Sequence, residues 1–241
     1  MSMQICEIFS SVQGEGQTIG TPAVFIRLTG CNLRCPFCDT KYSYKSNSLF
    51  NKEELILRLA AHNSDTFVFT GGEPLLQAKD LFEVIGRIIY LRKKQKRLTP
   101  SFIIETNGTI LPTTRDSLTS TNTHIHYVAS PKFYSDTSYS VDTVINLINI
   151  YDAELKLLLF TDTKNVDILY KFLLSIQSKI EPDNVITIQP GLPEGIKDIE
   201  VPKYLQQVFE LYQDLSAKIN FPTRFIVQQH KWIWEMNRRG V

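Results

Sequence analysis

This chain of 241 residues has few features that stand far from the average, and several absences narrow what it can be. It lacks a charge excess: 26 Lys and Arg against 25 Asp and Glu leave a formal net charge of +1, so nothing pulls it strongly toward nucleic acid or an anionic membrane surface. It lacks an uninterrupted apolar run of membrane-spanning length. The opening residues, 1–9, carry Glu7 and no small-residue cleavage site, so no secretory leader is expected and a cytoplasmic location is. Internal repeats and low-complexity tracts are also missing. The basic run Arg92, Lys93, Lys94, Lys96 and Arg97 reads as a solvated helix end rather than a nucleic-acid patch. Cysteine is scarce, with four in all, and in a reducing compartment these are not expected to pair as disulfides.

What is present is ordinary globular material: 43% hydrophobic and 21% charged residues, enough for one sizeable core and too little for two comfortable domains. Apolar strand-like runs alternate with helical patterns. Strands are expected at 23–28, 66–70, 101–106, 125–129, 154–160, 185–189 and 225–229. Helices are expected at 52–62, with Asn51 as N-cap, and at 78–94, 141–151, 166–178 and 202–219. Such alternation predicts a parallel α/β sheet, and periodicity leaves a partial barrel and a doubly wound sheet both open. Special residues follow the strands: Cys31, then Gly71-Gly72-Glu73, Asn107-Gly108, Ser130-Pro131-Lys132 and Gln189-Pro190. In parallel folds the strand C-termini form the functional face, so these segments are expected to line one site.

Three of the four cysteines fall within eight residues, Cys31-Asn-Leu-Arg-Cys35-Pro-Phe-Cys38. A structural zinc site normally closes a tetrahedron with a second ligand pair, and none is evident here. His124 and His126 lie far away, and Cys6 reads as a small buried hydrophobe on a strand. Three thiolates on a [4Fe–4S] cluster leave one iron open to an outside ligand. C-x3-C-x2-C resembles the motif of the radical S-adenosylmethionine superfamily, and Thr70-Gly71-Gly72-Glu73-Pro74 resembles its GGEP motif, which contacts the cofactor amino group. From the residues alone, Gly-Gly is equally a tight turn, and Ser130-Pro131-Lys132, Gln189 and Glu105-Thr106-Asn107-Gly108 are equally loop punctuation.

Further motifs narrow the resemblance. The segment Glu7 to Gly16 ends in Gln13-Gly14-Glu15-Gly16, which reads as a short flexible segment suited to a polar planar ligand, or as a surface turn. With Arg27, the cysteine loop, Asp39-Thr40 and His230-Lys231-Trp232-Ile233-Trp234 it is similar to the 7-carboxy-7-deazaguanine synthase family. Residues 116–123 and 133–141 match no motif. The resemblance implies a partial (βα)6 barrel forming a single domain over 1–241, with its site at the strand C-termini. It implies conversion of 6-carboxy-5,6,7,8-tetrahydropterin to 7-carboxy-7-deazaguanine with release of ammonia, on the way to queuosine. It also implies a [4Fe–4S] cluster, S-adenosylmethionine, Mg2+, an electron donor such as flavodoxin or ferredoxin, and a homodimer.

Residue by residue, the resemblance assigns the cluster to Cys31, Cys35 and Cys38 and Mg2+ to Thr40. It assigns the pterin to Val12, Gln13, Gly14, Arg27, Thr70 and Val241, with Arg27 on the carboxylate. It assigns the cofactor to Phe37, Cys38, Asp39, Gly72, Glu73, Ser130, Pro131, Lys132 and Gln189. His230 reads equally as a substrate contact and as a packed residue. The first two cysteines are closely spaced, without the long insertion that some members carry there. Two other readings stand beside this one: a glycyl-radical activase sharing the cysteine and glycine motifs, and a non-catalytic iron–sulfur or zinc module.

Overall fold

The computed structural model describes residues 2–45, 48–112, 125–135 and 138–234. Its strands are β1 (Ser2–Val12), β2 (Pro22–Leu28), β3 (Leu49–Asn51), β4 (Thr66–Gly71), β5 (Ser101–Thr106), β6 (Ile125–Ala129), β7 (Glu154–Leu159), β8 (Ile186–Pro190) and β9 (Thr223–Phe225). Its α-helices are α1 (Lys52–Ala61), α2 (Ala78–Lys94), α3 (Val141–Tyr151), α4 (Thr163–Ile176), α5 (Val201–Ser216) and the short α6 (His230–Ile233). One sheet runs β3-β1-β2-β4-β5-β6-β7-β8-β9, parallel from β2 to β9, with β1 antiparallel to both β2 and β3.

Strand order decides between the two architectures that the periodicity left open. A doubly wound sheet reverses its order partway and covers both faces with helices. Here the order from β2 to β9 never reverses. Phe67, Phe69, Phe102 and Ile104 face α1 and α2 in one apolar cluster. Leu155, Leu157, Leu159, Ile186 and Ile188 face α4 and α5 in another. The alternate residues Ala23, Phe25, Val68, Ile103 and Val128 form a separate cluster on the opposite face. Helices thus cover one face and the sheet curls around the other, which is a partial barrel. Burying each phenylalanine of the outer layer contributes about 2–3 kcal/mol.

Local signals account for the helix ends. The Asn51 side chain accepts from the N–H groups of Glu53 and Glu54. Asp162 caps α4 through Asn165 N–H, so that helix begins before the apolar period does. Asp152 ends α3 in the left-handed region at φ 52°.

Residues 2–12 form the long strand β1, which lies along β2. Three expectations need correction. Cys6 is half-buried at an irregularity in that pairing, not a core residue. The basic run is not simply a solvated end: Arg92 is buried and donates to the carbonyls of His62 and Ser64, both at 2.7 Å. Arg97 donates to the carbonyls of Ala60 and His62, satisfying the open C-terminus of α1. The last strand stops at Phe225, because beyond it the chain peels away and Gln229 N–H donates to Gly14 carbonyl at 2.9 Å.

Candidate functional site

The inner face of the barrel changes character along the strands. The layer of Ala23, Val68, Ile103 and Val128 is apolar. Nearer the strand C-termini the same face carries Arg27, Thr70, Glu105, Lys156 and Gln189, and these side chains line a cavity of about 260 Å³. Cys31, Cys35 and Cys38 line the same cavity from the loop that follows β2.

That loop is welded to the end of β4. Gly72 N–H donates to Leu28 carbonyl at 3.1 Å, and Glu73 N–H donates to Gly30 carbonyl at 2.7 Å. A Cβ on Gly71 would stand 2.2 Å from Leu28 O, and one on Gly72 would stand 1.7 Å from Gly30 O. The two glycines therefore admit the cysteine loop itself, while both still line the cavity. Glu73 is fully buried and lies outside the lining: its carboxylate accepts from Thr106 Oγ1 at 2.9 Å, Asn107 N–H at 2.7 Å and Leu75 N–H at 3.0 Å. Burial raises its pKa despite those donors. Its place is that of a knot between β4 and β5. Pro131 also lies outside the lining and packs beside Gly108.

None of the three thiols is paired in a disulfide. Cys31 Sγ accepts from Leu33 N–H at 3.4 Å and from the Asn107 side chain at 3.9 Å, and both donors favour an anionic sulfur. Burial pushes the Cys35 thiol up to about 11, against the pull of Lys132, and burial raises Cys31 as well. Among the described residues no three His, Cys, Asp or Glu side chains gather around a point that could hold one metal ion. A structural zinc site closes a tetrahedron with four ligands, and this loop offers three thiols. A group of several irons, each reached by its own thiolate, fits this donor set.

Beside the thiols stands an aromatic wall. Phe37 packs on Phe160 with centroids 4.8 Å apart, and Gly191 makes room for the Phe160 ring. Gln189 is buried, and its Oε1 has no partner among the described residues. Lys132 donates to Ser130 Oγ at 2.8 Å, and burial followed by Lys156 lowers its pKa. Asp39 and Thr40 complete this side, with Lys231 Nζ 3.5 Å from Asp39 Oδ2 and Thr40 Oγ1 3.6 Å from Cys38 Sγ.

The other wall is built by the loop between β1 and β2, which turns into the open barrel. Gln13 is buried and donates to Glu105 Oε1 at 2.9 Å. Gly14 lies against His230, whose Nδ1 would be 2.4 Å from a Cβ there, and burial lowers the pKa of that histidine. Arg27 gives only its Nε to Glu7, at 2.6 Å; Tyr42 OH donates to the same Glu7 oxygen at 2.8 Å. Among the described residues Nη1 and Nη2 of Arg27 make no hydrogen bond, and the guanidinium lies over the rings of Phe9 and Tyr42.

Of the residues singled out from sequence, Val12, Gln13, Gly14, Arg27, Phe37, Asp39, Thr40, Thr70, Gly72, Ser130, Lys132, Gln189 and the three cysteines meet at this cavity. Val241 lies outside the described residues. Sequence reasoning passed over Lys156, Phe160, Gly191 and the Glu7–Tyr42 support of Arg27. Lys156 had a readable signal: with Glu154 it places charge at every second residue of an otherwise apolar strand.

Comparison with known proteins adds what the chain is similar to. Residues 25–129 match the model of the Radical SAM superfamily. The crystal structure of QueE from Escherichia coli covers 95% of this chain and 95% of its own, with TM-score 0.62 and 22% identity, which shows the fold. Native anSMEcpe with bound AdoMet covers 81% of this chain and 61% of its own, with TM-score 0.54 and 20% identity.

Sequence relatives are narrower than the class. The chain is similar to the 7-carboxy-7-deazaguanine synthases of Hyperthermus butylicus (38% identity over 132 residues), Methanospirillum hungatei (43% over 108) and Bacteroides thetaiotaomicron (43% over 109). These matches cover 54%, 45% and 45% of this chain and 52%, 43% and 54% of the relatives, so the chain spans about half the length of the curated relatives it matches.

Proposed function

We propose that this chain is a radical S-adenosylmethionine enzyme that converts 6-carboxy-5,6,7,8-tetrahydropterin to 7-carboxy-7-deazaguanine with loss of ammonia, in queuosine biosynthesis. One observation carries the reading: three free thiols and the wall of Gln13, Glu105 and Arg27 line the same cavity. A ligand held on the thiol side therefore meets a substrate held on the other without diffusing through water. When bound, the cluster and S-adenosylmethionine supply a carbon-centred radical by one-electron cleavage of the sulfonium.

The chain's own residues position and shield. Cys31, Cys35 and Cys38 would hold the cluster, and the aromatic pair of Phe37 and Phe160 gives an apolar aromatic surface for an adenine. The unpartnered Gln189 oxygen accepts a ribose hydroxyl, and Ser130 and Lys132 offer donors to a carboxylate. Arg27 presents its free fork to the pterin carboxylate, held in place by Glu7 and Tyr42. Thr40, a hard oxygen donor beside Asp39, fits an Mg2+ that keeps most of its waters.

The same reading makes residues 1–241 a single domain and the protein a cytoplasmic homodimer served by flavodoxin or ferredoxin. Among the described residues no helix is long and apolar enough to cross a membrane. Anaerobic reconstitution tests the class: a brown protein that cleaves S-adenosylmethionine to 5′-deoxyadenosine under dithionite supports it, and a colourless zinc protein refutes it.

A further inference from the structure

Lys156 is a buried cation with no part in the reading above. It stands on the inner face of β7, with its side chain 4% exposed. Its ammonium donates to Glu15, from the loop after β1, and lies 3.6 Å from Glu105 Oε2, at the end of β5. Gln228 Nε2 donates to Glu15 Oε1 at 2.6 Å, and Gln13 Nε2 donates to Glu105 Oε1 at 2.9 Å. Four segments distant in sequence thus converge on two carboxylates and one cation.

Carboxylates crowded into a buried wall repel each other, and one of them then takes a proton. A cation between them removes the reason to do so. Burial would raise Glu15, but Lys156, together with His230, holds it well below the usual carboxylate range. Burial would lower Lys156, but Glu105, Glu15 and Glu154 hold it above the usual lysine range. The difference matters to a ligand, because an ionised carboxylate only accepts hydrogen bonds, whereas a carboxyl or an amide also donates.

We propose that Lys156 is a specificity-determining positioning residue: it holds Glu15 and Glu105 side by side, with Glu15 as an acceptor-only group, so that the wall selects heterocycles with a donor–donor edge. The 2-amino and N3–H groups of a pterin form such an edge. A lumazine, with a 2-oxo group in place of the amine, sets an acceptor against an acceptor. The proposal rests on the pterin reading and adds what enforces it.

The test is titration of the reconstituted protein with 6-carboxypterin and with 6-carboxylumazine, followed by ligand fluorescence. Wild-type protein prefers the pterin by about 30-fold or more, since a buried polar site rejects a mismatched partner strongly. In Lys156→Met the preference falls to about threefold or less, and Lys156→Arg, which keeps the charge, restores most of it. A Lys156→Met protein that binds both ligands more weakly but at the wild-type ratio overturns the proposal and makes the lysine structural. Glu105→Gln, with Lys156 in place, carries the same test should the methionine variant not fold: an unchanged ratio overturns the proposal. Wild-type protein that binds the pterin without preference overturns the role of Lys156 alone. Wild-type protein that binds neither ligand overturns the pterin reading and this proposal with it.

Discussion

Gly72 and Gly30 meet backbone to backbone, so closely that a Cβ on Gly72 would stand 1.7 Å from the Gly30 carbonyl oxygen. The end of β4 and the start of the cysteine loop are consequently one rigid unit, and the thiol side of the cavity inherits its shape from the sheet. Because the obstructing atom is backbone, nothing nearby can swing aside. Gly72→Ala is predicted to destabilise the protein by about 3 kcal/mol or more and to lower the iron bound per chain on reconstitution. Thermal unfolding and iron analysis check both effects, and an alanine variant with full iron content would show that the weld is dispensable.

Removing one thiol leaves too few ligands for a cluster with one open iron. Cys35→Ala should lose the brown absorbance and all cleavage of S-adenosylmethionine. Persistent cleavage would move the cluster to other residues.

Arg27 lends Nε to Glu7 and keeps its fork free. Arg27→Ala is expected to raise the pterin KM by roughly 10- to 100-fold, the worth of a charge-assisted bidentate pair, while uncoupled cleavage of S-adenosylmethionine continues. Equal loss of both activities would make the arginine structural.

Gly191 faces the Phe160 ring, with Cζ 2.2 Å from where a Cβ would sit. Gly191→Ala displaces that ring and with it the aromatic wall shared with Phe37. The KM for S-adenosylmethionine should rise about tenfold with pterin binding unchanged. Steady-state kinetics with each ligand varied in turn separates the two.

How much of this was legible beforehand differs by element. Helices α2 and α3 follow from periodicity because each has one buried and one more exposed side, and strands β5 and β6 follow from short apolar runs that end at turn residues. Strand β1 was legible only around Cys6 and not in its full length, since its polar residues, among them Gln4, Glu7, Ser10 and Ser11, mask the alternation and its partner is antiparallel. The cysteine and glycine motifs marked the site, but not that the glycines make room for the cysteine loop, or that Glu73 is a knot. Those facts depend on distances between segments about forty residues apart, which no local pattern contains. Lys156 and Glu105 were visible only as charges in buried strands, and their meeting with Glu15 depends on a loop entering the barrel.

The carboxylates inside the barrel also predict an acid limb in stability. Burial opposes the ionised forms of Glu154 and Glu15, but His126, Thr187 and the N–H of Gln17 hold Glu154 below the unfolded value of 4.5, and Lys156 does so for Glu15. Their stabilisation is therefore complete above pH 4.5 and is lost as the pH falls through their folded values. Glu73, raised by burial, acts in the opposite sense, losing its contribution as the pH rises through its folded value. The melting temperature should fall as the pH drops below about 4.5, and Glu154→Gln should flatten that limb. An identical slope in the variant would place the acid sensitivity elsewhere.

The most direct test of the central claim is incubation of the reconstituted protein with 6-carboxy-5,6,7,8-tetrahydropterin, S-adenosylmethionine, Mg2+ and dithionite, with products read by mass spectrometry. The account predicts 7-carboxy-7-deazaguanine and ammonia in equal amounts. Cleavage of S-adenosylmethionine with the pterin recovered unchanged would contradict it.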